Sequence, residues 1–302
     1  MISTLSPASQ SFLTGLNQIQ QALQTAETQL TTGLQINNDS DDPNQIADLW
    51  QTRSELDQAN QIDSNLGQVS TEVNTAQSSL QSAVTLVEQA ESLGTQGATD
   101  TADSTTREDL AGELSSILQQ LVATANTTVE GRYIFAGDTD QTAPYTIDTT
   151  QNPPVISEYQ GSASTREVQS PDGTTFSVAL TAQQIFDSAD ASTNVFSSIT
   201  DLIQGLMGND DTEINSSLTD VQDADTYLNQ QLAYYGTVQD RVSSAQTFGQ
   251  NYTTQLQTQL SGVEDANEAE SITNMTQAQT QLQAALQSEA NLPKSTLFDF
   301  MG

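Results

Sequence analysis

Residues 12–30, FLTGLNQIQQALQTAETQL, decide how this chain is read. The apolar set Phe12, Leu16, Ile19, Leu23, Ala26 and Leu30 advances by four and three, which lays one narrow stripe along a helix. A stripe of that width is hidden only against another helix. The far end of the chain carries a matching signal: Ile214, Leu218, Val221, Leu228, Leu232, Tyr235 and Val242 share one seven-residue frame, with Asp225 the polar residue on it. The pattern predicts that the two ends pair with each other and then with neighbouring copies. The candidate assembly seam is Phe12, Leu16, Ile19, Leu23 and Leu30 on the first helix, with Leu256, Leu260, Val263, Met275, Leu282 and Leu286 on the last. An ordinary soluble four-helix bundle would show the same stripes. Their concentration at both extremes, where a bundle normally frays, favours assembly.

Working outward, the first helix is expected over residues 8–34. The run Asn37-Asn38-Asp39-Ser40-Asp41-Asp42-Pro43 then interrupts the period, with Pro43 suited to the first position of a new helix and Asp42 placed to cap it. In that second helix Leu66, Val69, Val73, Ala76, Leu80, Ala83, Val87 and Ala90 alternate by three and four. A loop is expected from Gly94 and Gly97 to Ser104, followed by a third helix on Leu110, Leu114, Ile117, Leu121 and Ala125. From Arg132 the period moves toward two. Short β runs at 145–147, 155–159, 166–169 and 175–180 are punctuated by proline and glycine, including a Pro171-Asp172-Gly173 turn. Helix resumes over 194–206, and after Gly208-Asn209-Asp210 one continuous helix is predicted to about residue 290.

The expected fold class is therefore mainly α: an elongated antiparallel helical bundle or coiled coil formed by the N- and C-terminal segments, with a small inserted β domain. Three parts follow, a terminal assembly part at 1–42 with 256–302, a helical part at 43–130 with 194–255, and the β insert at 131–193.

Composition excludes several functions. Six Lys and Arg stand against 39 Asp and Glu, a formal net charge of -33, so there is no basic face to displace counterions from nucleic acid or to dock on anionic lipid. No run of about 18 apolar residues offers a membrane span. Cysteine and histidine are both absent, which removes disulfides, thiolate nucleophiles, imidazole bases and most transition-metal sites. The first residues, Met1-Ile2-Ser3-Thr4-Leu5-Ser6-Pro7, lack the basic and apolar regions of a cleavable signal peptide.

What remains is carboxylate chemistry. Asn37, Asp39, Asp41 and Asp48 loosely imitate a calcium loop, but Asp42 stands where that loop needs glycine, and helix capping accounts for the cluster better. Asp138 and Asp140 could serve as a glycosidase pair, although 39 acids supply such pairs by chance. Asn-X-Ser/Thr matches at Asn38, Asn126, Asn215, Asn251 and Asn274 are likewise expected in this composition. Trp50, the single tryptophan, is assigned to the core, with a subunit-contact anchor as the other reading.

Residues 30–46, LTTGLQINNDSDDPNQI, resemble the N-terminal signature of bacterial flagellins and their relatives, on Gly33, Ile36, Asn37, Asp41, Asp42 and Pro43. Gln35 departs from the usual cation and Asn44 from the common alanine. The run Leu260, Val263, Glu264, Asp265, Ala266, Ile272, Asn274, Met275 and Gln279 is similar to the family's C-terminal signature. Within the superfamily, Gly131, Arg132, Tyr133, Ile134, Phe135, Ala136 and Gly137, with Pro144-Tyr145, Tyr159-Gln160-Gly161, Arg166 and Ile185-Phe186, resemble the hook-associated branch at the hook-filament junction. Leu297-Phe298-Asp299-Phe300 is similar to that branch's ending.

The resemblance implies a secreted structural subunit of the bacterial flagellum, passed through the flagellar type III export channel without a cleaved signal peptide. It implies no catalysis and no cofactor. Implied partners are copies of the chain in a ring or short helical array, an adjacent hook-associated protein, flagellin and an export chaperone. Filament flagellin is the alternative within the family. A secreted carbohydrate-binding or hydrolytic protein centred on the β insert is the alternative outside it.

Overall fold

The structure, a computed structural model, describes residues 7–290. The ending at Leu297-Phe298-Asp299-Phe300 lies outside the described residues. Chain order is α1 (Pro7–Thr32), α2 (Ile46–Gly97), α3 (Ser104–Ala125), the hairpins β1 (Thr128–Val129) with β2 (Arg132–Tyr133), β3 (Ile147–Asp148) with β4 (Val155–Ile156) and β5 (Glu167–Gln169) with β6 (Thr175–Ser177), then α4 (Ala182–Phe186), α5 (Val195–Gly208), α6 (Asp211–Glu264) and α7 (Glu268–Ala290). By packing, the chain divides into two units. One holds the described residues through Gln58 and from Thr253 onward; the other runs Ala59–Tyr252.

The central unit carries the main core. The 3-4 alternation read on α2 is its inner face: Leu66, Val69, Val73, Ala76, Leu80, Ala83, Val87 and Ala90 are all buried. Gln239 of α6 donates to Asn74 of α2, and Gln222 to Glu91. Numbers fall on one helix as they rise on the other, so α2 and α6 are antiparallel. Leu110, Leu114, Ile117, Leu118 and Leu121 of α3 and Ile199, Leu202, Ile203 and Leu206 of α5 complete the same core.

Here the structure corrects the expectation for the 214–242 seam. Ile214, Val221, Leu228, Tyr235 and Val242 are buried by this chain's own α2, α5 and insert, not left for a sister molecule. Gly94 and Gly97 also differ from expectation, since they lie within α2 and not in a loop. A Cβ at Gly94 would come 2.9 Å from Leu202, and one at Gly97 2.2 Å from Leu206. Glycine serves close approach of α5 at both positions, and the loop itself begins at Ala98.

The β region is smaller than predicted. Its strands are two or three residues long and form three separate antiparallel hairpins without a shared sheet, and the first begins at Thr128. The first turn uses two consecutive residues at positive φ, Glu130 at 51° and Gly131 at 78°, as a two-residue hairpin loop of matching twist requires. Such short hairpins are not stable alone. They are held because Phe135, Tyr145, Val168, Phe176 and Val178 belong to the helical core.

The predicted continuous C-terminal helix is interrupted. The break falls at residues 265–267, where Asn267 caps α7 by accepting from Glu270 N–H at 3.3 Å.

Candidate assembly surface

The site is built from the terminal unit. Helix α1 ends at Gly33, whose φ of 74° takes the left-handed conformation that closes a helix, its N–H donating to the Gln29 carbonyl at 2.9 Å. The next residues pair with the α6–α7 break as an antiparallel bridge. Gln35 N–H donates to the Glu264 carbonyl at 2.6 Å, and Ala266 N–H donates to the Gly33 carbonyl at 2.8 Å. The interruption at 265–267 thus supplies backbone groups to the chain's N-terminal turn, which an unbroken helix would have consumed.

From this joint α1 and α7 pack antiparallel, with Ser271 hydroxyl against Gln29 Oε1 at 3.3 Å. Ala26, Ile36, Leu49, Leu256 and Ala278 are the unit's buried apolar residues. Arg53 on α2 forms an ion pair with the mostly buried Glu264 carboxylate.

The signature residues 33–43 form a capped turn. Asn37 Nδ2 donates to the Leu34 carbonyl at 2.8 Å, and Asp41 accepts from the Asn37 and Asn38 N–H groups at 2.9 and 2.8 Å. Asp42 accepts from Asn44 and Gln45 N–H at 3.1 and 3.3 Å, while Pro43 is exposed. The carboxylates of Asp41 and Asp42 are thereby occupied by backbone donors, which is capping and not calcium ligation. Among the described residues no group of three acids is arranged to hold a metal ion.

The seam residues differ in cover. Leu256 is buried; Phe12, Leu16, Ile19, Leu23, Leu30, Leu260, Val263, Met275 and Leu282 are half-buried; Leu286 is 53% exposed. Two exposed residues beside them, Leu13 and Ile272, were not part of the predicted seam, although Ile272 belongs to the C-terminal signature. Trp50 corrects its assignment to the core: it is 56% exposed, with the Arg53 guanidinium 5.7 Å from its ring. Its position on the first turns of α2 puts it on the outward side, since Leu49 is the buried neighbour.

The second signature, residues 131–137, runs from exposed Gly131 through half-buried Arg132, Tyr133 and Ile134 to Phe135 and Ala136, which are buried. Phe135 is fully buried, edge-on to Phe186 and Tyr235 with ring centroids 6.3 Å apart in both pairs. Gly137 sits at φ 64°, and a Cβ there would meet the Ser162 carbonyl oxygen at 2.3 Å. Tyr133 is half-buried. Tyr145 donates to Asp187 at 3.2 Å, and burial together with that carboxylate pushes its phenol far up; burial pushes Tyr159 up to about 12. These hydroxyls stay protonated and act as structural donors.

Arginine use was not legible in sequence. Glu72 of α2 holds Arg132 at 3.0 Å and Arg166 with its other oxygen, fastening the insert to the helix. Arg107 is buried and reaches the Gly97 carbonyl, Asn209 and Asp211 at 2.9, 2.8 and 2.5 Å. Asp140 lies 4.0 Å from Arg132 and belongs to this ion cluster, while Asp138 is exposed.

Two chain ends joined in one helical unit, flanking in sequence a middle with its own core, define a structural subunit built around its termini. Two family descriptions match: the bacterial flagellin N-terminal helical region over residues 2–140 and the bacterial flagellin C-terminal helical region over 218–300. The chain belongs to the flagellin family, whose members are structural components of the bacterial flagellum.

Curated proteins give no match. Among solved structures the chain is similar to a protein from Vibrio parahaemolyticus described as a flagellar hook-associated protein, at 20% identity and TM-score 0.64, over 74% of this chain and 100% of that one. It is similar to hook-associated protein 3 of Legionella pneumophila at 12% identity and TM-score 0.62, over 70% and 98%. FlgL of Bacillus cereus matches at 17% identity and TM-score 0.55, over 71% and 100%. At these identities the likeness is one of fold. No described helix is long and apolar enough to cross a membrane.

Proposed function

We propose that the chain is a structural subunit of the hook-filament junction, assembled through its terminal unit. The observation that carries this reading is the pairing of α1 with α7, which leaves Phe12, Leu16, Ile19, Leu23, Met275 and Leu282 only half covered. Apolar residues left at a chain's own helix pair are what a neighbouring copy can bury. The fold likeness to hook-associated proteins of two bacteria and to FlgL of a third supports the junction over the filament. The partners on this reading are copies of the chain in a ring or short helical array, an adjacent hook-associated protein, flagellin and an export chaperone. On this reading the subunit is exported to the flagellum and does no catalysis.

A carbohydrate-binding module at 131–193 is not favoured. The hairpins share one core with the helices through Phe135, Phe176 and Tyr235, so the insert has no independent core with which to fold. The deciding experiment is whether the purified chain polymerises alone, read by electron microscopy and sedimentation. A junction subunit stays monomeric or forms short species. Long filaments would overturn the junction in favour of flagellin.

A further inference from the structure

Cations are scarce enough here to be counted individually. Of the six Lys and Arg, Lys294 lies outside the described residues. Arg53, Arg107, Arg132 and Arg166 are each paired to a carboxylate of the same chain. Arg241 is the one arginine among the described residues with no carboxylate in ion-pair reach. It is exposed on α6, and its guanidinium lies 4.4 Å from the Phe176 ring centroid, braced on an aromatic face and presented to solvent.

Two turns further along α6 stands Phe248, 49% exposed and stacked on Tyr252 at 6.3 Å. Positions 241, 245, 248 and 252 share one helix face. Arg241, Ala245 and Phe248, together with the β5–β6 hairpin, line an open groove of about 360 Å³. Its remaining charges are Asp172 and Asp240. Asp172 is committed to its own turn, accepting from Thr174 N–H and hydroxyl at 2.9 and 2.7 Å.

We propose that this groove, with Arg241 and Phe248 as its anchors, is a contact between copies of this chain, and that Arg241 takes a surface carboxylate of the neighbouring copy. The argument is one of charge. Copies carrying -33 repel, and an ion pair between described parts of two copies must draw on a cation not already spent within its own chain. Every copy offers exposed carboxylates in excess, whereas Arg241 is the uncommitted donor to them among the described residues. An arginine beside an exposed aromatic ring also supplies the residue types that carry most of the energy in small contacts, and a guanidinium fork receives a carboxylate with two parallel hydrogen bonds.

This rests on the reading of the chain as an assembling flagellar subunit. The test uses flagella whose copies of this chain carry Phe248→p-benzoylphenylalanine, irradiated and analysed by mass spectrometry. The expected product joins residue 248 to an acidic segment of a second copy. Adding R241Q, which removes an exposed side chain and leaves the circular dichroism unchanged, lowers the yield roughly tenfold. A cross-link to a different flagellar protein, the absence of any cross-link, or an undiminished yield with R241Q overturns the proposal. Immunogold labelling of the same flagella reads the other question separately: label along the whole filament would remove the junction assignment while leaving the 248 contact standing.

Discussion

Asp225 shows how one residue can work against its surroundings. It stands on the inner seam of α6, its Oδ1 is buried without a hydrogen-bond partner, and Oδ2 accepts from Asn229 at 3.1 Å. Burial first, then Glu88 and Glu91 of α2, raise its carboxyl above the ordinary 3.8, and burial with Asp220 raises Asp201 in the same way. A carboxyl raised in the folded state costs stability while ionised, and the cost is relieved as pH falls through the folded pKa. Asp103, Asp148 and Asp172 shift the other way, each lowered by hydrogen bonds from a nearby threonine, so their contributions are lost only below 3.8. The contribution of Asp225 and Asp201 to stability therefore rises on acidification from neutral, and that of Asp103, Asp148 and Asp172 falls as pH drops through the carboxylate range. D225N is expected to raise Tm at pH 7, with the gap to the parent closing near pH 4, as followed by thermal circular dichroism. A gap that is absent, or constant across that range, would show that the seam charge costs nothing. Asp225 was visible in sequence as the polar residue of its heptad. Its acidic neighbours on α2, 134 to 137 positions away, were not, because only the antiparallel register of the two helices sets them opposite one another.

At the scale of elements, glycines separate what propensity dictates from what packing does. Gly97 sits against buried Leu206, and an added Cβ overlaps it at 2.2 Å. G97A should therefore destabilise by about 1–3 kcal/mol through overpacking, partly offset by the roughly 1 kcal/mol that alanine gains over glycine in a helix. Gly112, exposed on α3, would meet nothing within 4 Å. G112A should stabilise by about 0.5–1 kcal/mol. Urea denaturation of the two variants checks the pair: shifts of the same sign would refute the account of Gly97. Both glycines look alike in sequence. The break between α6 and α7 was equally hidden, since Asp265-Ala266-Asn267 carries no proline or glycine, and the interruption exists because the Gly33–Gln35 backbone pairs there. Helices α1, α2, α3 and α5 were legible because their apolar periods are long and regular. The hairpins were misjudged in length because β-rich composition was read without knowing that helices α2 and α6 would supply their core.

For the whole molecule, the division into two units makes a direct prediction. The hydrophobic core from Leu66 to Ala245 lies entirely within the central unit. Deleting residues 1–40 or 260–302 should leave a soluble, cooperatively folded remnant that has lost assembly, measured by circular dichroism melting and sedimentation. Loss of the central fold on either deletion would contradict the independence of that core. The sequence alone determined that this is a helical protein with a short β-rich insert, with paired ends and a large excess of acids over cations, because period, composition and charge are properties each segment carries locally. Its end signatures were also sufficient to point to the family. Only the tertiary structure decided that the 214–242 seam is covered from within, that Trp50 faces outward, and that four of the described arginines are paired within the chain while Arg241 is not. Those outcomes depend on which distant segments meet, and a pattern along one helix specifies that a face must be covered without specifying by what.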